Sequence, residues 1–277
     1  MSTPEFASFW EGPLDALAYA CLSSFAKAGE QLRLYSYHVG IEAPAGIEVA
    51  DAREICPDES LLRRFIVDGK PSLATFADMF RYRLIHQTGA CWVDTDLLCL
   101  TRPDFSRDAI VFGRQPPYQG ESVINNAVLK LPPTHPLLAD LLAHADRALD
   151  KEVSWGAIGP FLLTELAVKH GVADEARDFH AFYPIDPNDF WMLLLPSHRD
   201  EVAAAAKSAT LLHLWGELFN RCGYDKNVAP PAGSYLHDFF ARIGALDRFP
   251  RIYDEDEARA LIARASSPLG NMAAAAP

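Results

Sequence analysis

Two short apolar runs, separated by an amphipathic segment, open the chain. Residues 5–10 and 31–37 have the apolar patterns of strands, and residues 14–28 have the pattern of a helix that ends near Gly29. A strand, a helix and a strand of these lengths predict a βαβ unit, whose two strands are parallel. The predicted fold class is therefore α/β, with a parallel sheet that carries helices on its faces.

The remaining segments continue this alternation without an internal repeat. The clearest helix covers residues 72–87, where apolar residues recur three and four apart and Gly89 ends the pattern. Further helices are predicted over residues 136–149, 160–170 and 254–265, and further strands over residues 90–93, 109–114, 123–131 and 209–215. Residues 40–72 and 115–122 are irregular, so we expect loops over a site there.

No linker rich in Pro, Gly or Ser divides the 277 residues. We predict one domain over residues 1–267 and a disordered tail, rich in Ala and Pro, over residues 268–277. Lys and Arg number 25 against 37 Asp and Glu, which gives a formal charge of −12. This balance argues against a nucleic-acid partner, because phosphate contacts need a basic surface.

Cysteine spacing and apolar run lengths bear on location. The five cysteines lack metal-ligand spacing, which predicts buried free thiols in a reducing compartment. The N-terminus lacks the basic and apolar regions of a signal peptide, and no apolar run reaches the ~18 residues that span a bilayer. We therefore expect a cytoplasmic protein without a transmembrane segment, with peripheral attachment to a membrane as an open alternative.

The strongest chemical signal is the triplet Asp94, Thr95 and Asp96, which directly follows the apolar run 91–93. Residues two apart in an extended chain point the same way, so both carboxylates can face one ligand. Two unpaired anions this close repel each other, and a hard divalent cation with oxygen ligands relieves that repulsion. The alternative is a pair of acids at the entry to a loop, each capping a backbone group.

The context of this triplet resembles a known family. Asp78 and Arg81 lie three apart on the predicted helix, and Gly89 and Trp92 precede the Asp94–Asp96 triplet. This pattern resembles the DXD-motif sugar-nucleotide glycosyltransferases of the family 32-like group, which includes α-1,4-glycosyltransferases, yeast mannosyltransferase relatives and the clostridial glucosylating toxins. The resemblance is good over residues 72–100, and weaker matches cover residues 9–12, 124–128 and 213–215. Where the family usually has two glycines, this sequence has Gly89 followed by alanine.

The resemblance implies a GT-A fold, which is a Rossmann-like, mixed but mainly parallel sheet flanked by helices. It implies a hexosyltransferase that uses a nucleotide sugar, with UDP-sugar favoured, and Mn²⁺ or Mg²⁺ as cofactor. The acceptor would be a hydroxyl of a glycan, a lipid-linked glycan or a protein, as in polysaccharide biosynthesis, and transfer would retain the anomeric configuration. A bridging cation also suits an acidic chain that binds an anionic diphosphate.

The resemblance also assigns roles to individual residues. The metal ion would be held by Asp94, Asp96 and His213, and the reacting centre would include Asp96 and Asn126. The nucleotide sugar would be contacted by Trp10, which stacks on the base, and by Asp78, Arg81, Asp94, Thr95 and Trp215.

Each assignment has a structural alternative. Asp78 and Arg81 fit a surface ion pair of little energetic weight, and His213 fits a core histidine on an apolar strand. Trp10 and Trp215 fit core packing. Because adjacent strand residues point to opposite faces, Asn126 and its neighbour Asn125 are not expected to face one pocket together. The turn 155–160 could approach the sugar or acceptor through its glycines, or be only a tight loop before a helix.

Two rival functions use the same residues. A metal-dependent hydrolase of nucleotide sugars or phosphodiesters would use the same ion, with water as the acceptor. A non-catalytic sugar-binding protein would keep the fold while its acids no longer hold metal. Turnover of the donor without an acceptor, at a rate that matches the best acceptor reaction, would favour the first rival. Failure to bind UDP with Mn²⁺ would favour the second.

Overall fold

A computed structural model describes residues 5–38 and 40–264, so the predicted tail over residues 268–277 lies outside the described residues. The strands are β1 Phe6–Phe9, β2 Leu32–Ser36, β3 Ile47–Asp51, β4 Ile66–Val67, β5 Lys70–Pro71, β6 Cys91–Val93, β7 Leu97–Cys99, β8 Val111–Arg114, β9 Ile124–Lys130, β10 Leu211–His213, β11 Val228–Ala229 and β12 Arg251–Ile252. The helices are α1 Ala16–Lys27, α2 Leu73–Thr88, α3 Pro136–Ala148, α4 Pro160–Lys169, α5 Arg199–Ala205, α6 Gly216–Arg221, α7 Tyr235–Ile243 and α8 Glu255–Arg264.

The central sheet has six strands in the order β3-β2-β1-β6-β9-β8. β1 pairs in parallel with β2 and β6, and β2 pairs in parallel with β3. On the other side of β6, β9 pairs antiparallel with β6, and the edge strand β8 pairs antiparallel with β9. The sheet is mixed and mainly parallel, and the β1–α1–β2 unit predicted from the sequence is confirmed.

The core divides between the two faces of this sheet because successive strand residues point to opposite sides. Ala7 and Phe9 of β1 belong to the cluster that includes residues of α2, α3 and α4, whereas Phe6 of the same strand packs with residues of α1. Phe76 and Phe80, part of the apolar stripe seen in the sequence, are fully buried on α2. Helices therefore cover both faces, as the sequence predicts.

A second, two-stranded sheet lies beside the central one. β7 follows β6 after the turn that holds Asp94 and Asp96, and it pairs antiparallel with β10. His213 stands opposite Leu97 in this register. A strand from the last third of the chain therefore ends next to the acidic turn, while residues of α1, α6 and α7 pack around this small sheet in one buried cluster.

Several segments differ from the sequence-based expectation, and four of them bear on the fold around the cavity. The irregular stretch 40–72 contains β3, an edge strand whose exposed Glu48 interrupts the apolar pattern. The pattern also does not predict β7, which has only three residues, or α7. The strand predicted over residues 209–215 ends at His213, because Trp215 adopts a left-handed conformation (φ 58°) immediately before α6.

The predicted state of the cysteines is confirmed, since all five are buried and unpaired. Their side chains act as small apolar groups in the core. None of the helices over the described ranges is long and apolar enough to cross a lipid bilayer.

Candidate active site

A cavity of about 530 Å³ opens where β1 and β6 end, and the turn between β6 and β7 forms part of its wall. The carboxyl ends of parallel strands are where α/β sheets usually bind ligands. Every residue to which the sequence assigns a role lines this cavity: Trp10, Asp78, Arg81, Asp94, Thr95, Asp96, Asn126, His213 and Trp215. The fold therefore brings together side chains that lie as many as 205 positions apart.

Asp94 and Asp96 are held by the backbone of the acidic turn. The N–H of Asp94 donates to the carbonyl of Ala127 on β9 (2.8 Å), which ties the turn to the central sheet. The N–H of Leu214, just after β10, donates to the carbonyl of Asp96 (2.9 Å). One ligand atom from each of Asp94, Asp96 and His213 lies within 4.8 Å of the others, so the three can surround one small ion.

Asp94 belongs to a buried polar network on the central sheet. Its Oδ1 accepts from the indole Nε1 of Trp92 (2.5 Å) and lies 3.2 Å from Nη2 of Arg81. The guanidinium of Arg81 also stacks over the Trp92 ring, with Cζ 4.9 Å from the ring centroid. Nη1 of Arg81 donates to the carbonyl of Asn126 (2.6 Å). The side chain of Arg81 is therefore fixed between α2, β6 and β9.

Asp78 completes this network from one turn earlier on α2. Its Oδ1 accepts from Nδ2 of Asn126 (2.8 Å) and lies 3.4 Å from Nη2 of Arg81. Asp78 and Arg81 are 8 % and 5 % exposed, so the surface ion-pair alternative does not describe them. A Cβ at Gly159 would come within 2.7 Å of Oδ2 of Asp78, so the turn before α4 presses closely against this carboxylate.

Asp96 is held by different partners. Its Oδ2 accepts from the backbone N–H of Gly216 (2.7 Å), and its Oδ1 lies 3.4 Å from Nε2 of His213. A Cβ at Gly216 would stand 2.9 Å from Oδ2 of Asp96, so glycine leaves room for the carboxylate at this position. His213 is buried and its ring centroid lies 4.4 Å from that of Trp215.

The two carboxylates of the turn have pKa values shifted in opposite directions. Burial raises the pKa of Asp94, the nearby charge of Arg81 opposes the shift, and the charge of Asp96 adds to it. Burial acts the same way on Asp96, but the imidazole of His213 and the Gly216 N–H outweigh it and hold the pKa of Asp96 below its usual range. Burial raises the pKa of Asp78 to about 6, against the opposing charge of Arg81.

The protonation of His213 follows from its surroundings. Burial disfavours the imidazolium ion, but the charge and hydrogen bonding of Asp96 outweigh burial, so the pKa of His213 is raised. The N–H of Trp215 donates to Nδ1 (3.3 Å), which leaves Nε2 to carry a proton toward Asp96. A metal ion on Nε2 would have to displace that proton. The neutral ring would then carry its proton on Nδ1, which could no longer accept from the N–H of Trp215.

The donor set suits a hard divalent ion. The two carboxylates match the oxygen ligands that Mn²⁺ and Mg²⁺ prefer, whereas the nearby imidazole is a more usual ligand of transition metals than of Mg²⁺. Asp94 uses Oδ1 for Trp92 and Arg81, so its Oδ2 is the oxygen left for an ion. Asp78 and Asp94 share the charge of Arg81, and the charge of Lys226 acts on Asp96. An added cation would reduce the repulsion that remains among the three carboxylates.

Trp10 and Trp215 stand elsewhere on the cavity wall. Trp10 follows β1, and its Nε1 donates to the carbonyl of Pro13 (3.1 Å). Nε1 of Trp215 donates to the carbonyl of Ile185 (2.9 Å), and both side chains are only partly buried. The indole N–H of each tryptophan is therefore held by a backbone carbonyl, and each side chain both packs against a buried cluster and lines the cavity. Thr95 lies in the same wall, between the two aspartates.

The amide pair on β9 departs from the sequence expectation, because both Asn125 and Asn126 line the cavity. Asn126 is buried against Asp78. Asn125 donates from Nδ2 to Oε1 of Gln115 (2.8 Å). A register irregularity between β8 and β9 at Val111 and Gly113 accompanies this arrangement and makes strict alternation a poor guide here.

Glu11 and Lys226 are among the charged residues of the cavity wall to which the sequence assigned no role. Glu11 has a carboxylate oxygen, Oε2, that is shielded from water and has no hydrogen-bond partner, and burial raises its pKa. Lys226 lies near Asp96, whose pKa its charge helps to lower. Glu11 follows Trp10 at a strand end, which is the one sequence signal that could have pointed to it. Lys226 sits in a loop with no motif around it.

Comparisons with known proteins add little to this geometry. The chain matches no protein-family model and no curated protein sequence. Chains of solved structures do match, among them a structure described as PaToxG Glycosyltransferase, with a TM-score of 0.40 and 11% sequence identity. That match covers 76% of this chain and 86% of the other. The function is therefore argued from the cavity itself.

Proposed function

We propose that the protein is a metal-dependent glycosyltransferase, which moves a hexose from a nucleotide sugar, with UDP-sugar favoured, to a hydroxyl group. The observation that carries the proposal is the cluster of Asp94, Asp96 and His213 in the wall of a cavity that also holds Trp10 and Arg81. A cavity of about 530 Å³ falls in the usual range for small-molecule sites. The sequence resemblance to the DXD-motif family points to the same chemistry.

Asp94 and Asp96 are the anchors we assign to a Mn²⁺ or Mg²⁺ ion. When bound there, the ion would neutralise the diphosphate of the donor and stabilise the charge on the departing nucleoside diphosphate. His213 is the third ligand that we assign. That role requires its Nε2 proton to leave, so the metal and the proton compete for one site.

The other residues of the cavity orient the donor. Trp10 offers an indole face on which a nucleobase can stack, and such stacking contributes about 1–3 kcal/mol. Asp78, Arg81 and Asn126 form a fixed polar surface beside the metal cluster, where hydroxyls of the donor sugar would find both donors and acceptors. Thr95 and Trp215 border the same space. Fixed polar groups of this kind position a reactant without having to reorganise.

The transfer itself needs no covalent intermediate with the protein. The acceptor oxygen forms a bond to the anomeric carbon, and the bond from that carbon to the diphosphate oxygen breaks with its electron pair leaving on the diphosphate. The acceptor proton passes to a phosphate oxygen of the leaving group. Attack on the face from which the diphosphate departs would retain the anomeric configuration, with Asp96 and Asn126 nearest to the reacting centre.

Ligand-dependent thermal stability tests the proposal directly. We expect UDP to raise the melting temperature with Mn²⁺ present, and not in EDTA, because bound ligand stabilises the folded state by mass action. Equal stabilisation by UDP in EDTA would contradict the metal bridge. The control variant is Asp174→Asn, whose side chain is fully exposed and should leave the UDP response unchanged.

A panel of UDP-hexoses then separates the rival functions. Release of UDP that an acceptor accelerates supports transfer. Release at the same rate with water alone would indicate a hydrolase. Absence of UDP binding with Mn²⁺ would indicate that the acids do not hold metal.

A further inference from the structure

Several large apolar side chains line the cavity and are exposed to solvent. The exposed large apolar residues within the described ranges are Leu73, Trp155, Phe161, Val168 and Ile252. The first three line the cavity, together with Tyr118, whose ring centroid lies 6.1 Å from that of Phe161. Exposed apolar groups gathered in one concave place mark a binding site. We call Leu73, Tyr118, Trp155 and Phe161 the aromatic mouth.

Four separate segments build the aromatic mouth. Tyr118 lies on a tight hairpin closed by reciprocal backbone hydrogen bonds with Glu121 (2.9 and 3.0 Å). Trp155 stands in the turn before α4, where the N–H of Ala157 donates to the carbonyl of Ser154 (3.1 Å). Leu73 and Phe161 are in the first turns of α2 and α4. The packing of no single segment requires its side chain to line the same cavity as the other three.

Helix α2 relates the aromatic mouth to the metal cluster. Leu73 begins the helix, and Asp78 and Arg81 follow on it. A helix rises 1.5 Å per residue, so the eight residues from Leu73 to Arg81 span roughly 12 Å along α2. That distance leaves room for a donor sugar beside Asp78 and for one further ring at the mouth. The mouth is thus placed where a second substrate would enter.

The chemistry of the mouth differs from that of the metal cluster. Its four side chains, and the adjacent Gln115 and Asn125, carry no formal charge. The Oε1 of Gln115 accepts from Asn125, and among the described residues its Nε2 has no hydrogen-bond acceptor. Aromatic faces and a spare amide donor together suit a pyranose ring, which has an apolar C–H face and hydroxyls at its edge.

We propose that the aromatic mouth binds a neutral pyranose ring of the acceptor, so that the acceptor is a glycan. This inference rests on the proposed function, because it assigns the second substrate of the same cavity. A lipid-linked acceptor would bring a phosphate to a surface that offers no charged partner. A peptide acceptor would offer a ring to the three aromatic side chains only through a Pro or an aromatic residue, whereas every pyranose unit of a glycan offers one.

Methyl pyranosides test this proposal, because they present a sugar ring without an apolar aglycone. Their binding is measured by saturation-transfer NMR, and the ratio of transfer to hydrolysis is measured with the UDP-hexose that the protein consumes. We expect at least one methyl pyranoside to bind and to accelerate UDP release. Trp155→Ala and Phe161→Ala should each weaken its binding and lower the transfer ratio at least tenfold.

Val168→Ala is the matched control, since Val168 is 65% exposed on the same helix as Phe161 and does not line the cavity. It should leave both measurements unchanged. The proposal is overturned if Trp155→Ala and Phe161→Ala behave like Val168→Ala. It is also overturned if alkanols, phospholipid-linked sugars or peptides accelerate UDP release while no methyl pyranoside binds. If a pyranoside binds in a way that depends on Trp155 but no donor is turned over, the result supports a sugar-binding site and contradicts the proposed transferase function.

Discussion

The two aspartates of the acidic turn stand only two residues apart, yet they are held by two different parts of the molecule. The Asp94 side consists of Asp94, Asp78, Arg81 and Asn126, and it rests on α2 and the central sheet. The Asp96 side consists of Asp96, His213, Trp215 and Gly216, and it rests on the small β7–β10 sheet and the start of α6.

The difference lies in the cation that each side supplies. Arg81 is charged at every accessible pH, so the Asp94 side keeps its counter-charge whether or not a ligand is present. His213 can lose its proton, so on the Asp96 side the positive charge of the imidazolium ion can be replaced by that of a metal ion. We therefore expect the Asp94 side to keep one arrangement with or without a ligand, and the Asp96 side to change its charge when a metal ion binds. The following predictions test this difference between the two sides, from the largest expected effect to the smallest.

Arg81→Gln should cause the largest loss of folding stability. The change leaves the buried Asp78 and the partly buried Asp94 without a counter-charge, and removing one partner of a buried ion pair typically costs about 3–5 kcal/mol. The free energy of unfolding is measured by urea denaturation at pH 7. Arg83→Gln is the control on the same helix, because Arg83 pairs with an exposed Asp146 and should cost less than about 1 kcal/mol. Equal losses in both variants would show that the Asp94 side is not a buried network.

Asp94→Asn and Asp96→Asn should each lower sugar transfer at least about a hundredfold, which corresponds to about 2.7 kcal/mol of transition-state stabilisation. Each change removes one negative charge from the proposed ion site. Transfer is measured with saturating Mn²⁺, and circular dichroism checks that the fold is kept. A variant that retains more than a tenth of the wild-type rate would exclude that aspartate as a metal anchor.

The pH dependence of stability should distinguish Asp78 from the rest of the chain. Its folded-state pKa is raised to about 6, so its contribution to stability is fully present below about pH 4 and is lost as the pH rises through 6. Relative to Asp78→Asn, the wild-type protein should therefore lose about 2 kcal/mol of unfolding free energy between pH 4 and pH 7. Urea denaturation of both proteins across this range measures the difference. A constant difference would mean that Asp78 does not titrate there.

Two glycine substitutions should separate the two sides of the site. A Cβ at Gly216 would lie 2.9 Å from Oδ2 of Asp96, and one at Gly159 would lie 2.7 Å from Oδ2 of Asp78. We expect Gly216→Ala to weaken Mn²⁺-dependent UDP binding about tenfold, or about 1.4 kcal/mol, because it displaces Asp96. Gly159→Ala, by contrast, should act mainly through stability, since it crowds the preformed network. Calorimetric titration and thermal melts on both variants measure the two effects.

If Gly159→Ala weakened metal-dependent binding as much as Gly216→Ala without a change in stability, the Asp94 side would not be preformed. The two sides would then respond to the metal as one unit.

The local pattern of the chain was sufficient for most of the fold. The first βαβ unit, α2 and the strand before the acidic turn were predicted, because each contains an uninterrupted apolar pattern of the right period. β3 was missed because it lies at an edge and exposes Glu48, and β7 because three residues carry too little pattern. α7 was missed although its N-cap Ser234 and its left-handed Gly244 are recognisable helix signals.

The sequence predicted which residues belong to the candidate site, but not how they contact one another. The triplet at Asp94 could be found because two acids directly follow a buried strand, and His213 was identified only through the family resemblance. The three-residue spacing already indicated a pair between Asp78 and Arg81, but nothing local indicated that Arg81 also contacts Asp94. Nor did any local pattern show that Lys226 lines the same cavity. Contacts between residues far apart in sequence depend on strand order and register, which the pattern of one segment does not specify.

The sequence by itself therefore determined the class of fold, the residues with the chemistry to hold a metal ion, and the strand end at which two of them stand. Only the tertiary structure decided that the Asp94 side is locked by a permanent cation while the Asp96 side is paired with a titratable one. The physical reason is that periodicity and residue type act within a few positions. Burial and charge pairing arise instead when β6, β10 and α2 meet at one edge of the cavity, and these set the pKa of each carboxylate.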